Sequence, residues 1–168
     1  MYRCGFMLLP CLLATGCSKD PVPSSWIVLP LGKGQITVRA PADYLQSSEI
    51  NDTLVLTPPG DLGIILRFTL TWKDGPGAPK DLGHQFVRGQ AKEKNLSVTE
   101  KGGKTIVTET ETTEEKGRKG EVRFWLIGLG KGMIVMSASV PDDRKDVPAV
   151  RECLDKTVPL MIDSLKLK

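Results

Sequence analysis

Four features of this chain have residue types that could do chemistry. Cys17 follows Ala14-Thr15-Gly16, three small residues that leave room around the thiol and the peptide bond ahead of it. A thiolate is the best sulfur nucleophile a side chain offers, so Cys17 is a candidate for covalent modification. His84 is the single histidine. Histidine metal sites draw on two or three such ligands or on thiolates, and a general base needs a nucleophile and an orienting group. His84 therefore reads as a surface or helix-edge residue. Gly128-Leu129-Gly130-Lys131-Gly132 has the glycines of a phosphate loop. It lacks the Gly-Lys-Ser/Thr ending and the following helix, so it reads as a hairpin turn. Glu109, Glu111, Glu114 and Glu115 alternate in part with Thr108, Thr110 and Thr112. A carboxylate face could hold calcium weakly, but no calcium-loop spacing is present. The cluster reads as a solvated face, with Lys116, Arg118 and Lys119 as charge partners.

The stretch before Cys17 explains the setting. Arg3 is the one charged residue before Lys19, and residues 5–13 are almost wholly apolar. A basic start, an apolar run of about ten residues and then small residues form a secretory signal pattern. The run is shorter than the roughly 20 apolar residues that span a bilayer. Leu13-Ala14-Thr15-Gly16-Cys17 resembles the lipobox of bacterial lipoproteins. That resemblance implies removal of residues 1–16 and a diacylglyceryl-modified, acylated Cys17, with palmitate as a typical acyl chain. Ala14 stands where the family usually has leucine, which leaves cleavage without lipid as the alternative. Ser18, not aspartate, follows the cysteine. Under the sorting rule of enteric-type bacteria this implies the outer membrane. Residues 18–25 are polar and proline-rich, and residues 17–33 read as lipidated cysteine and tether.

Composition fits one globular domain in the remainder. The chain has 168 residues, 40 % hydrophobic and 26 % charged, enough apolar material for a core. Removing Arg3 leaves 22 basic against 20 acidic residues. That balance gives no reason to expect nucleic acid. Cys4 and Cys11 would leave with the signal, and lipid would cap Cys17, so Cys153 would be a lone, buried and inert thiol. Were Cys17 unmodified, it could pair with Cys153.

The elements that would position these residues follow from periodicity. Residues 35–39, 53–57 and 63–72 alternate as strands, the last with Ile64, Leu66, Phe68, Leu70 and Trp72 on one face. Residues 26–29 offer an additional short strand. A modest helix is expected over 79–94, on a stripe of Leu82, Phe86 and Gln90 with Val87 and Ala91 beside it; Gly83 and Gly89 weaken it. Strands are expected over 96–100, 104–112, 121–129 and 133–140, joined by short glycine-rich turns that favour an antiparallel meander. The last element is a helix opened by Asp146 and Pro148, with Val147, Val150, Leu154, Val158, Met161 and Leu165 as its apolar stripe. Pro159 should kink it, or split it near residues 156–158. Trp72 and Trp125 read as core, Trp26 as a domain-edge residue near the tether. The fold class is α+β: an antiparallel sheet of about six to seven strands packed with one internal and one C-terminal helix.

This order resembles the PsbP-like and DcrB-like fold family over residues 35–168, with Ile36-Thr37-Val38-Arg39-Ala40-Pro41 as the entry strand and Ile162-Asp163-Ser164-Leu165 closing the last helix. The domain is accordingly placed at 34–168. Members include accessory proteins of photosynthetic complexes and envelope proteins, and the resemblance supplies no catalytic residues. The expectation is a periplasm-facing, lipid-anchored envelope module that binds or scaffolds. It has no catalytic, cofactor or metal site, membrane lipid as partner through Cys17 and an envelope protein as a further partner. A basic tip at Lys116, Arg118 and Lys119 could touch anionic headgroups. The alternatives are a hydrolase or metal-dependent enzyme whose site assembles only in three dimensions, and a carrier of a small apolar ligand.

Overall fold

The computed structural model describes residues 22–73, 75–115 and 117–168. The period-two stretches become strands: β1 (Ile27–Leu31), β2 (Ile36–Ala40), β3 (Leu45–Glu49), β4 (Thr53–Thr57) and β5 (Ile65–Trp72). After α1 (Leu82–Lys94) come β6 (Val98–Lys101), β7 (Lys104–Glu115), β8 (Arg118–Leu129) and β9 (Gly132–Pro141). The C-terminal helical run and β10 (Lys166–Leu167) complete the chain. A seven-stranded antiparallel sheet has the order β3-β4-β5-β9-β8-β7-β6, and a second, three-stranded sheet has the order β1-β2-β10. The α+β class and the antiparallel meander are as expected. The separate small sheet is an addition, since β2 pairs with β1 and with the C-terminal β10.

Alternation assigns the two faces of the large sheet. Along β9, Gly132, Ile134, Met136, Ala138 and Val140 are buried while the residues between them are half-buried. The first set joins Leu66, Phe68 and Ile127 in the main core, closed over by Ile36 and Val38 of β2 and by Val150, Leu154, Val158 and Met161. Burying a side chain such as Phe68 contributes about 1.5–3 kcal/mol. The other face carries α1, where Val87 and Ala91 meet Val107, Leu126 and Met133. The sheet is thus the middle layer of three.

Two helices differ from expectation. Helix α1 starts at Leu82, not near Pro79, and buries Gly83, Val87 and Ala91, whereas Phe86 is 50 % exposed. The stripe is rotated because its first buried position is a glycine, chosen for close backbone approach rather than hydropathy. The C-terminal run is neither broken nor a simple α-helix. It comprises α2 (Pro148–Glu152), a π-helical turn over Cys153–Thr157, and α3 (Val158–Ser164). The N–H of Val158 bonds to the carbonyl of Cys153, an i→i−5 pattern. Widening the turn just before Pro159 absorbs the missing N–H without ending the helix. The apolar stripe stays on the core side, with Val150, Leu154, Val158, Met161 and Leu165 buried.

Candidate functional site

The densest polar arrangement among the described residues is where α1 meets the β8–β9 hairpin. The Gly83 N–H donates to the Gly130 carbonyl at 3.0 Å. A Cβ on Gly83 would overlap the Gly132 carbonyl oxygen, and one on Gly128 would lie 2.6 Å from the Gly83 oxygen. The glycines of 128–132 therefore form a tight turn, with Gly130 at φ +57°, and a seat for the first turn of α1. Strands flank them on both sides, as expected for a hairpin and not for a phosphate loop.

His84 is held in this junction. The Gly130 N–H donates to its Nε2 at 3.2 Å. An accepting Nε2 assigns the ring proton to Nδ1, which faces Thr105 Oγ1 at 2.9 Å. The Thr105 hydroxyl then donates to the Glu100 carboxylate at 2.9 and 3.0 Å. Arg88 donates to the same carboxylate through Nη2 at 2.8 Å and Nε at 3.1 Å. Arg88 foremost, then Thr105, holds the Glu100 carboxyl below the ordinary glutamate range. The relay links α1, β6, β7 and the β8–β9 turn. It leaves neither ring nitrogen of His84 open to a substrate, so its chemistry is that of a clamp. Sequence reading placed His84 alone and missed Thr105, Glu100 and Arg88. The spacing of His84 and Arg88, four apart on one helix face, was the available signal.

Other buried polar groups serve the C-terminal helices. Tyr44 Oη and Cys153 Sγ lie 3.5 Å apart. Burial first, then the bond to Cys153, pushes the Tyr44 phenol upward; burial also raises the Cys153 thiol, partly offset by Tyr44. Cys153 is a buried free thiol, as the periodicity implied. Lys104 Nζ is buried and donates to the Asp163 carbonyl at 3.1 Å, near the end of α3. Burial lowers its ammonium, with Asp163 opposing. A cation on a terminal carbonyl suits a helix C-terminus.

The remaining sequence candidates are dispersed. Cys17 and Lys116 lie outside the described residues. Glu109 pairs with Lys94 at 2.6 Å, Glu111 lies opposite Val122, and Glu114 opposite Lys119. Arg118 and Lys119 line an open concavity of about 1320 Å³ with Asp142, Asp143 and Arg144, so its charge is mixed. Trp125 is buried, and Trp72 and Trp26 pack on the core from partly buried positions. Among the described residues, no group of three or more His, Cys, Asp or Glu is placed to hold a metal ion, and no helix is long and apolar enough to cross a membrane.

No family model and no curated relative matches this chain. Solved structures do. A protein from Bacteroides thetaiotaomicron superposes with a TM-score of 0.63 at 18 % identity, covering 86 % of this chain. This chain spans about half of that one, 48 % of its length. LpqN of Mycobacterium tuberculosis, described as involved in cell envelope biogenesis, superposes at 0.50 with 13 % identity, covering 85 % of this chain and 90 % of LpqN. The α+β fold is therefore one that both proteins share. The cyanobacterial PsbP of Synechocystis sp. PCC 6803 matches over 92 % of this chain and 99 % of its own at 13 % identity, but its TM-score of 0.39 is too low to carry weight.

Proposed function

We propose that this chain is a non-catalytic binding or scaffolding module of the bacterial cell envelope, anchored in membrane lipid through an acylated Cys17. One observation carries the reading: the signal-like segment ending in Ala14-Thr15-Gly16-Cys17 precedes a domain whose fold is also that of an envelope-biogenesis protein. The clamped state of His84, with Gly130 on one ring nitrogen and Thr105 on the other, supports a structural use of its one imidazole. A thioether-linked diacyl group makes a durable anchor because two chains together hold where one holds only reversibly. Periplasm-facing placement, with the outer membrane favoured by Ser18, belongs to the same proposal.

Mass spectrometry of the protein from a membrane fraction tests it. The expected N-terminal peptide begins at Cys17 and carries diacylglyceryl and acyl mass. An uncleaved chain, or an N-terminus at Cys17 without lipid, would overturn the anchor.

A further inference from the structure

Strand β7 is 12 residues long, but its outer neighbour β6 pairs only with residues 104–107. Beyond Val107 the outer edge of the seven-stranded sheet is β7 itself. The direction of its backbone groups follows from the hairpins at its two ends. Lys101 and Lys104 flank the two-residue turn Gly102-Gly103, whose φ values of +55° and +71° suit a tight hairpin turn. Such a flanking pair exchanges both its hydrogen bonds, and bonding then alternates along the strand. Lys104 and Ile106 therefore point their N–H and C=O toward β6, and Thr105 and Val107 toward β8. Thr108, Thr110, Thr112 and Glu114 consequently direct N–H and C=O groups away from the sheet. All four are exposed, and no backbone bond to them from outside the β7–β8 ladder is present among the described residues.

An edge of this length is ordinarily blunted by lysine, proline, a bulge or a covering loop. Residues 108–114 read Thr-Glu-Thr-Glu-Thr-Thr-Glu, with no proline or glycine, and pair with β8 in unbroken register. The charge along this edge is selective. Glu109 and Glu111 lie on the α1 side, where Lys94 reaches Glu109 and Val122 stands opposite Glu111. Two carboxylates thus share one ammonium. A second copy pairing antiparallel about Thr110 would set Glu109 against Glu111, like charge on like, which destabilises a cross-strand pair. A phosphate backbone or an anionic headgroup meets the same repulsion.

We infer that the outer edge of β7 over residues 108–114 accepts an extended segment of a partner protein as an added strand, with lysine or arginine at alternate positions facing Glu109 and Glu111. Main-chain bonds to Thr108, Thr110 and Thr112 hold the segment, and the carboxylates choose its side chains. This gives the binding-module reading a surface and rests on that reading for its role in the envelope. Its test leaves Cys17 untouched, so the two can fail separately.

The probe is an eight-residue peptide alternating lysine and threonine, added to the full chain in mild detergent and followed by amide NMR and hydrogen exchange. The expected result is salt-sensitive binding with new protection at the amides of Thr108, Thr110 and Thr112. A glutamate–threonine peptide should not bind. Methylating alternate peptide nitrogens should weaken binding about tenfold or more, because edge bonds are removed while charge is kept. The double variant Thr110→Pro/Thr112→Pro removes two outward donors at positions where an edge strand tolerates proline, and should weaken binding similarly. If that variant does not fold, the methylated peptide, which leaves the protein intact, decides alone. The double variant Glu109→Lys/Glu111→Lys should transfer preference to the acidic peptide. No binding at millimolar peptide, protection elsewhere on the surface, indifference to nitrogen methylation, or self-association through this edge would each overturn the inference.

Discussion

The backbone N–H of Arg39 donates to Oγ of Ser164 at 2.8 Å, joining positions 125 residues apart. Ser164 Oγ in turn donates to the Met161 carbonyl at 2.6 Å, so one buried hydroxyl closes α3 and docks it on β2. Alanine at this position would leave the Arg39 N–H facing an apolar methyl. An unsatisfied buried donor costs about 1–3 kcal/mol. Ser164→Ala should lower stability by that amount in urea unfolding. A loss under about 0.5 kcal/mol, the scale of an ordinary surface change, would mean that water replaces the hydroxyl.

Two glycines of α1 make a matched pair. In a helix interior, glycine to alanine is ordinarily stabilising by about 0.5–1 kcal/mol. Gly89 has open space around its Cβ direction, so Gly89→Ala should show that gain. Gly83→Ala should show the reverse, because the new methyl overlaps backbone of Gly132, with its carbonyl carbon 2.6 Å away, and backbone cannot rotate aside. The expected loss is about 3 kcal/mol or more, at the upper end for overpacking. Equal thermal midpoints for the two variants would contradict the seat described for α1.

Acid should act through Glu100. Its carboxyl is held below the ordinary value of 4.5 by Arg88 and Thr105. A group depressed on folding stabilises above its unfolded pKa, and that contribution fades as pH falls through the folded value. Urea midpoints of the native chain should therefore drop as pH falls below about 4.5. Glu100→Gln should begin lower at neutral pH and lack this part of the slope. Parallel curves for the two proteins would show that the Arg88–Glu100 pair adds nothing to stability.

Cys153 should behave as a reporter of unfolding. Burial raises its thiol above the ordinary range, which keeps it protonated at neutral and mildly alkaline pH. Reactivity needs thiolate and access. Labelling of Cys153 by a disulfide reagent, read on its own peptide so that Cys4, Cys11 and Cys17 do not contribute, should then be slow in the native protein and should track the unfolded fraction as urea is added. Fast labelling without denaturant would mean that the π turn around Cys153 opens on its own.

Strands with one face in the core were legible because hydropathy alternates in them; β5 and β9 are the clearest cases. So was the C-terminal stripe, since the π turn shifts the helical phase without moving Leu154 or Val158 out of the core. Strand β3 was not legible. All five of its residues, Leu45–Glu49, are exposed, so no burial pattern marks them. The buried face of α1 was misjudged because Gly83 has no side chain to register in a hydropathy pattern, while Phe86, the bulkiest candidate, faces solvent. The His84 clamp was hidden for another reason. Thr105 and Glu100 come beside the imidazole only when the β6–β7 hairpin folds under α1. The free edge of β7 was invisible as well, because edge position depends on strand order and not on local sequence.

The three-stranded sheet has a consequence for the order of events in time. Its β2 strand pairs with Lys166 and Leu167, and the N–H of Lys168 donates to the Gln35 carbonyl at 3.1 Å. The ribosome adds these partners after every other described strand. Until then Ile36 and Val38, both fully buried in the finished protein, lack the helix and strand that flank them. Contacts of such long sequence separation are slow to form because a long loop must close first. The β2 layer therefore cannot close until β10 has been made, so the core around Ile36 and Val38 packs late and as one event rather than strand by strand.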